Sequence, residues 1–209
     1  MKKKPNKAAR QSAELPVYRL LRAAFESPDS MRPLLRRNPE LIEARTGLGE
    51  TALHYLAVEN QLRTVILLVE AGAQVNTLSS CGGTPLSEAA SLGYVELVEY
   101  LLSQGASLHI AGQHDPTLHE AVRSGNAAMV QLLLAAGAPI DEQNNLGETP
   151  LHLAAEEDER LAVLELLLLA GANPMLKRIF DETPLEVALN SGSEGCASTL
   201  LAASTPKAP

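Results

Sequence analysis

Thr149-Pro150-Leu151-His152-Leu153-Ala154 reads as the opening of a short helix. Threonine ahead of proline places a hydroxyl at the helix N-cap. Proline then falls at the first helical position, where its missing N–H costs nothing. Kindred segments stand on both sides: Thr51-Ala52-Leu53-His54, Thr84-Pro85-Leu86-Ser87, Asp115-Pro116-Thr117-Leu118-His119 and Thr183-Pro184-Leu185-Glu186. Their leucines fall at 53, 86, 118, 151 and 185, at spacings of 33, 32, 33 and 34 residues. A second series keeps the same interval: Ala71-Gly72-Ala73, Gln104-Gly105-Ala106, Ala136-Gly137-Ala138 and Ala170-Gly171-Ala172. Two independent marks on one period identify a repeat protein.

The second repeat shows the physics of the unit. Leu86, Ala89 and Ala90 share one face of a short helix, and the alanines let a neighbouring helix approach closely. Gly93 stops that helix at a position suited to positive φ. A second apolar stripe, Val95, Val98, Leu101 and Leu102, ends at Gly105. The residues from Ala106 to Gly112 are too few for a third helix and must form an extended turn. One unit alone leaves a leucine face wet, so units must stack. Two variations predict local differences. In the third repeat Asp115 is expected to cap, with Pro116 at the first helical position, so that the helix begins one residue earlier. The fourth repeat carries one extra residue around Glu156-Glu157-Asp158-Glu159-Arg160, which predicts a bulged inter-helix turn.

Composition agrees with closely packed helices. Of 209 residues 45% are hydrophobic but only 3% aromatic, so a core must be built from Leu, Val and Ala. The net charge of −8 is a poor start for binding nucleic acid. The apolar stretch Leu161 to Ala172 carries Glu165 and is too short for a bilayer span of roughly 20 residues. No apolar run follows the basic opening, so no signal peptide is read. The expectation is a cytoplasmic, soluble monomer that engages neither nucleic acid nor membrane.

The pattern resembles the ankyrin repeat family, whose unit of about 33 residues carries a Thr-Pro-Leu-His-x-Ala mark. Thr149 to Ala154 matches it fully, while Ser87, Ala52 and Glu186 depart from it. The resemblance implies an all-α solenoid of stacked helix-turn-helix repeats with short β-hairpin-like loops. Repeats are expected at 46–78, 79–110, 111–143 and 144–177, with a C-terminal capping repeat at 178–203. Leu20 lies 33 residues before Leu53, so 15–45 reads as an N-terminal cap of two helices joined through Ser27-Pro28-Asp29-Ser30. Residues 1–14 read as a basic, disordered tail and 204–209 as a second mobile tail.

His54, His119 and His152 share one repeat position, which spaces them along the stack and reads as helix-start residues bonding backbone. His109, His114 and His119 reach one zinc ion only if the loop folds back onto its helix. Cys81 precedes a helix but has no histidine beside it, and the run Glu156 to Glu159 lacks an EF-hand's glycine bend. No nucleophile elbow, phosphate loop or His-Glu-x-x-His occurs. The chain is therefore read as non-enzymatic, without metal or cofactor. A small hydrolase or metal-dependent enzyme with a loop-built site is the rival class.

In the resembled family partners dock on the concave side, at loop tips and the ends of first helices. By position the tips here are Leu48, Glu50, Cys81, Gln113, Asp115, Leu146, Glu148, Ile179, Phe180 and Glu182. The helix ends add Val58, Glu59, Leu92, Arg123, Glu156 and Glu157. Apolar tips among carboxylates predict a protein partner with a basic patch, held by a scaffold-type module. An inhibitor or immunity-type protein that plugs a basic active site is an alternative of the same class. Phe180 is the expected anchor, since Leu185, Ala188 and Leu189 are assigned to the core of that repeat. Glu148 and Glu182 are expected to steer association.

Overall fold

The computed structural model describes residues 15–204. The tails expected at 1–14 and 204–209 lie outside them, except for Ser204, which belongs to the last helix and not to a tail. Twelve α-helices occur among the described residues, in six consecutive pairs. They are α1 (Pro16–Glu26) and α2 (Met31–Arg37), α3 (Ala52–Val58) and α4 (Leu62–Glu70), and α5 (Pro85–Ser91) and α6 (Val95–Ser103). Then follow α7 (Thr117–Arg123) and α8 (Ala127–Ala135), α9 (Pro150–Ala155) and α10 (Leu161–Leu169), and α11 (Pro184–Ser191) and α12 (Glu194–Ser204). The expected bulge in the fourth repeat is a 3-10 turn, Asp158–Arg160.

Spatial proximity groups the chain into two compact units, Met1–Pro85 and Leu86–Pro209. In the first, α1 packs on α3 and α3 on α4, around Leu20, Met31, Leu41, Leu53, Leu56 and Leu68. In the second, first helices stack on one another (α7 on α9, α9 on α11) and second helices do the same (α8 on α10, α10 on α12). That two-layered stacking is the architecture of an all-α solenoid. Its core holds the repeated leucines Leu86, Leu118 and Leu151 and the small partners Ala89, Ala90, Ala121 and Ala154, all buried. Burial of these faces by neighbouring repeats, more than helix propensity, stabilises helices of six to eleven residues.

Three local expectations are corrected. Helix α7 starts at Thr117, in register with its counterparts, and Pro116 is its N-cap. The Pro116 carbonyl accepts from the His119 and Glu120 N–H groups, while the Asp115 carboxylate is drawn away by neighbouring side chains. In α6 the buried stripe is Leu97, Val98 and Leu101, because Val95 opens the helix on its exposed side. In the last repeat Val187 and Ala188 are buried, Leu185 is half-buried and Leu189 is 60% exposed. The residues matching Leu189 in earlier repeats, Ala57, Ala90, Val122 and Ala155, are fully buried. No further described helix covers Leu189.

Candidate functional site

The loops that open each repeat are short hairpins held from both sides. A backbone bond closes four of them: Thr46 N–H to Glu50 O at 2.8 Å, Ser79 to Gly83 at 2.9 Å, Asn144 to Glu148 at 3.0 Å and Arg178 to Glu182 at 3.0 Å. Adjacent tips are also tied together, Ser80 N–H to Leu48 O at 2.8 Å and Ile179 N–H to Leu146 O at 3.1 Å. The turn needs a left-handed residue, and Gly147 supplies it with φ 70°. A Cβ there would lie 3.0 Å from the Ile179 nitrogen, so glycine also permits the close approach of the next tip. In the last tip Asp181 adopts the same left-handed conformation at φ 61°. The apolar tips are thus displayed on a rigid base. Phe180 is 66% exposed and Ile179 60%, with Leu146 and Leu48 also exposed. Phe180 does not fold back into a repeat interface; its ring lies under the Arg178 guanidinium, 5.5 Å from ring centre to Cζ.

Behind the tips of the second unit runs a continuous polar ladder. Arg123 donates to Asp115 at 3.1 Å, and Asn144 bridges Asp115 (2.7 Å) and Glu148 (3.1 Å). Arg178 then donates to Glu148 at 2.9 Å and to Glu182 at 2.6 and 2.8 Å, and Asn190 reaches Glu182 at 2.7 Å. Anions alternate with amides and guanidiniums, so each carboxylate has a partner on both sides. Burial opposes ionisation of Asp115. Hydrogen bonds from Asn144 and His114 and the Arg123 charge more than offset it, leaving its pKa below the ordinary value. Nearby Glu120 is shifted the other way, by burial and by the negative charges of Asp115 and Glu88.

The histidines at the helix starts are pieces of backbone wiring. His54 Nδ1 accepts from the Thr51 N–H at 3.1 Å, so the ring proton sits on Nε2, which donates to Thr77 O and Gly83 O. His152 repeats this with Thr149 N–H at 3.1 Å and Glu182 O at 3.0 Å. In the last repeat Glu186 takes the role by accepting from the Thr183 N–H at 2.7 Å. His119 donates to Glu148 O at 2.8 Å, but Pro116 stands where the threonine would, with neither N–H nor hydroxyl. Buried His119 Nδ1 therefore has no partner, and neither do Thr117 Oγ1 and Gln113 Nε2.

Burial lowers the pKa of His54, His119 and His152 below the usual imidazole value. At a pH below the unfolded value of about 6.5 the unfolded chain binds protons that these rings refuse, so stability falls. Above it their contribution is fully present. The urea midpoint is expected to be flat from pH 8 to 7 and to drop between pH 6.5 and 5, with a smaller drop in His152→Gln. An unchanged midpoint across pH 6.5 to 5 contradicts this.

Of the residues expected at the binding face, Leu48, Val58, Glu59, Cys81, Leu92, Arg123, Leu146, Glu157, Ile179 and Phe180 are exposed, and Glu50, Glu156 and Glu182 are half-buried. Gln113, Asp115 and Glu148 are buried instead. Gln113 accepts from the Ile110 N–H at 3.1 Å, and the two acids belong to the ladder, so none of the three is a free tip group. Glu156 and Glu157 both pair with Arg160 at 3.2 Å. Three exposed rings of the first unit, Tyr18, Phe25 and Tyr55, escaped sequence reasoning. Phe25 stands five residues after Leu20 as Val58 stands five after Leu53, and that equivalence was the available signal.

The remaining chemistry is structural. Cys196 is buried and its thiol, pushed up to about 12 by burial and by Asp158, faces the carbonyls of Ala154 and Glu157. His109 pairs with Glu142 and His114 with Asp115. Among the described residues no group of three His, Cys, Asp or Glu side chains is placed to hold a metal ion, and no helix is long and apolar enough to cross a membrane.

Comparison with known proteins agrees with this geometry. The family model described as ankyrin repeats (3 copies) matches residues 20–111 and 118–208. A transient receptor potential cation channel subfamily A member 1 homolog of Caenorhabditis elegans is 29% identical over 63% of this chain and 11% of its own length. The SMC5-SMC6 complex localization factor protein 1 of Bos taurus is 35% identical over 49% of this chain and 10% of its own. The E3 ubiquitin-protein ligase XBAT33 of Arabidopsis thaliana is 35% identical over 62% of this chain and 26% of its own. The matches thus span a tenth to a quarter of these larger proteins, the part that this chain shares with each. With stacked helix pairs, capping boxes and a family match over most of its length, the chain belongs to the ankyrin repeat family.

Proposed function

We infer that this chain, as ankyrin repeats generally do, serves as a protein–protein interaction module. We propose that this chain is a non-enzymatic binding module whose second unit docks a partner protein through its hairpin tips, with Phe180 as anchor. The observation that carries the reading is the Ile179–Phe180 tip: two large apolar side chains, each more than half exposed, on a loop fixed by backbone bonds and by Arg178. Keeping such groups wet costs free energy, and a partner pocket recovers it. Charge supports a basic surface around that pocket. From Leu86 onward the chain has 17 acidic and 5 basic residues, so an excess remains after the ladder is neutralised. Because Glu148 is buried and paired, steering falls to exposed acids such as Glu157. Both cysteines are free thiols, which fits a reducing cytoplasm, and the module is read as a monomer.

The test is differential capture from the native host with wild-type and Phe180→Ala baits, followed by titration of the protein that only the wild type retains. Phe180→Ala is expected to weaken that complex by about 1–3 kcal/mol and to leave the melting temperature nearly unchanged. A large fall in melting temperature with affinity intact makes Phe180 a structural residue and removes the proposal.

A further inference from the structure

The first unit holds a groove of about 500 Å³ between α2, the turn Pro39–Leu41 and α4. Its floor is apolar, built from Leu35, Pro39, Ile42 and Leu67, and Arg32 and Arg36 stand at its rim. We propose that this groove is a second docking site, for an acidic peptide segment of a partner protein that carries an apolar anchor residue.

The arginines carry the argument. Arg36 is exposed and has no ion pair among the described residues. It follows the buried leucine of its helix, Leu35, where the later repeats have Val69, Leu102, Leu134 and Leu168, all half-buried aliphatics. Here alone a guanidinium borders the groove. A water-facing cap accounts for an arginine, and the C-terminal end of α2 favours a cation there, but neither accounts for the apolar floor beneath it. Arg32 lies in the first turn of α2, where the helix dipole disfavours positive charge. Its partner is Glu70, at 2.5 Å across the groove, and both side chains are more than half exposed. A pair so exposed contributes little, so an incoming carboxylate can replace Glu70 at small cost. The groove is within the size range of ligand pockets, and its combination of apolar floor and planar donors suits a Leu or Phe flanked by Asp or Glu. Charge at the groove itself reinforces this choice: its lining holds two arginines, Arg32 and Arg36, and one carboxylate, Glu70.

The experiment uses the full chain and a fluorescein-labelled Asp-Glu-Leu-Phe-Asp-Glu peptide followed by anisotropy. A Lys-Lys-Leu-Phe-Lys-Lys peptide and octanoate are the comparison probes. The acidic peptide is expected to bind, more weakly as salt rises. At least tenfold should be lost in Arg36→Glu and in Ile42→Gln, each checked for folding by circular dichroism, and nothing in Phe180→Ala. The last arm separates this groove from the hairpin tips, so either proposal can fail alone. Equal binding of the basic peptide, full binding by folded Arg36→Glu, binding of octanoate without the peptide, or no binding of the acidic peptide overturns the inference.

Discussion

Leu118→Ala is expected to lower the unfolding free energy by about 2–5 kcal/mol, and Leu185→Ala by clearly less. Leu118 is 2% exposed on α7, which packs against α8 within its repeat and α9 in the next. Truncation there removes apolar contacts and leaves a cavity that short helices, fixed at both ends by caps and glycines, collapse into only partly. Leu185 occupies the same repeat position but is half-buried, because no described helix covers the far side of α11. In a stack, stability is approximately a sum of units and nearest-neighbour interfaces, so an interior anchor outweighs a terminal one. Urea unfolding followed by circular dichroism measures both variants, and equal losses would argue against nearest-neighbour stacking.

The fold was legible because its signals are local and periodic. Thr149-Pro150 and Gly171 mark a start and a stop without reference to any other residue, and their recurrence gave the stack. The third repeat misled for an equally physical reason. Asp115 has the chemistry of a cap, but its competitors, Asn144 and Arg123, come from the next loop and from the far end of α7. Propensity does not reveal such partners. The site was legible in part. Phe180 and Ile179 were singled out as apolar residues in a loop, and the loop does display them. The acids beside them looked alike in the sequence and are not alike in space. Glu148 is buried behind the tips while Glu157 is open to solvent, and Arg178 makes much of that difference. A signal for it existed: Asn144 with Glu148 and Arg178 with Glu182 are polar pairs four apart at one repeat position.

The ladder makes Arg178 the polar residue whose loss should cost most. Arg178→Met is expected to destabilise the second unit by about 3–5 kcal/mol, since Glu148, only 6% exposed, would keep its charge with the Asn144 amide as its remaining side-chain donor. Glu182 is more open and can be rehydrated, so its share of the loss is the smaller one. Much of the effect is an unpaired buried charge, not the intrinsic worth of the pair. Glu148→Gln added to Arg178→Met should therefore restore a large part of the lost stability, because a neutral amide needs no counter-charge. A surface ion pair behaves otherwise: the single substitution would cost no more than about 1 kcal/mol and the double variant would be additive. Denaturant midpoints of the wild type, both single variants and the double variant decide between them. The same substitution also removes the cation above the Phe180 ring. If the tips dock a partner, Arg178→Met should loosen the anchor and weaken binding even where the remaining fold is intact, an effect Glu148→Gln cannot restore.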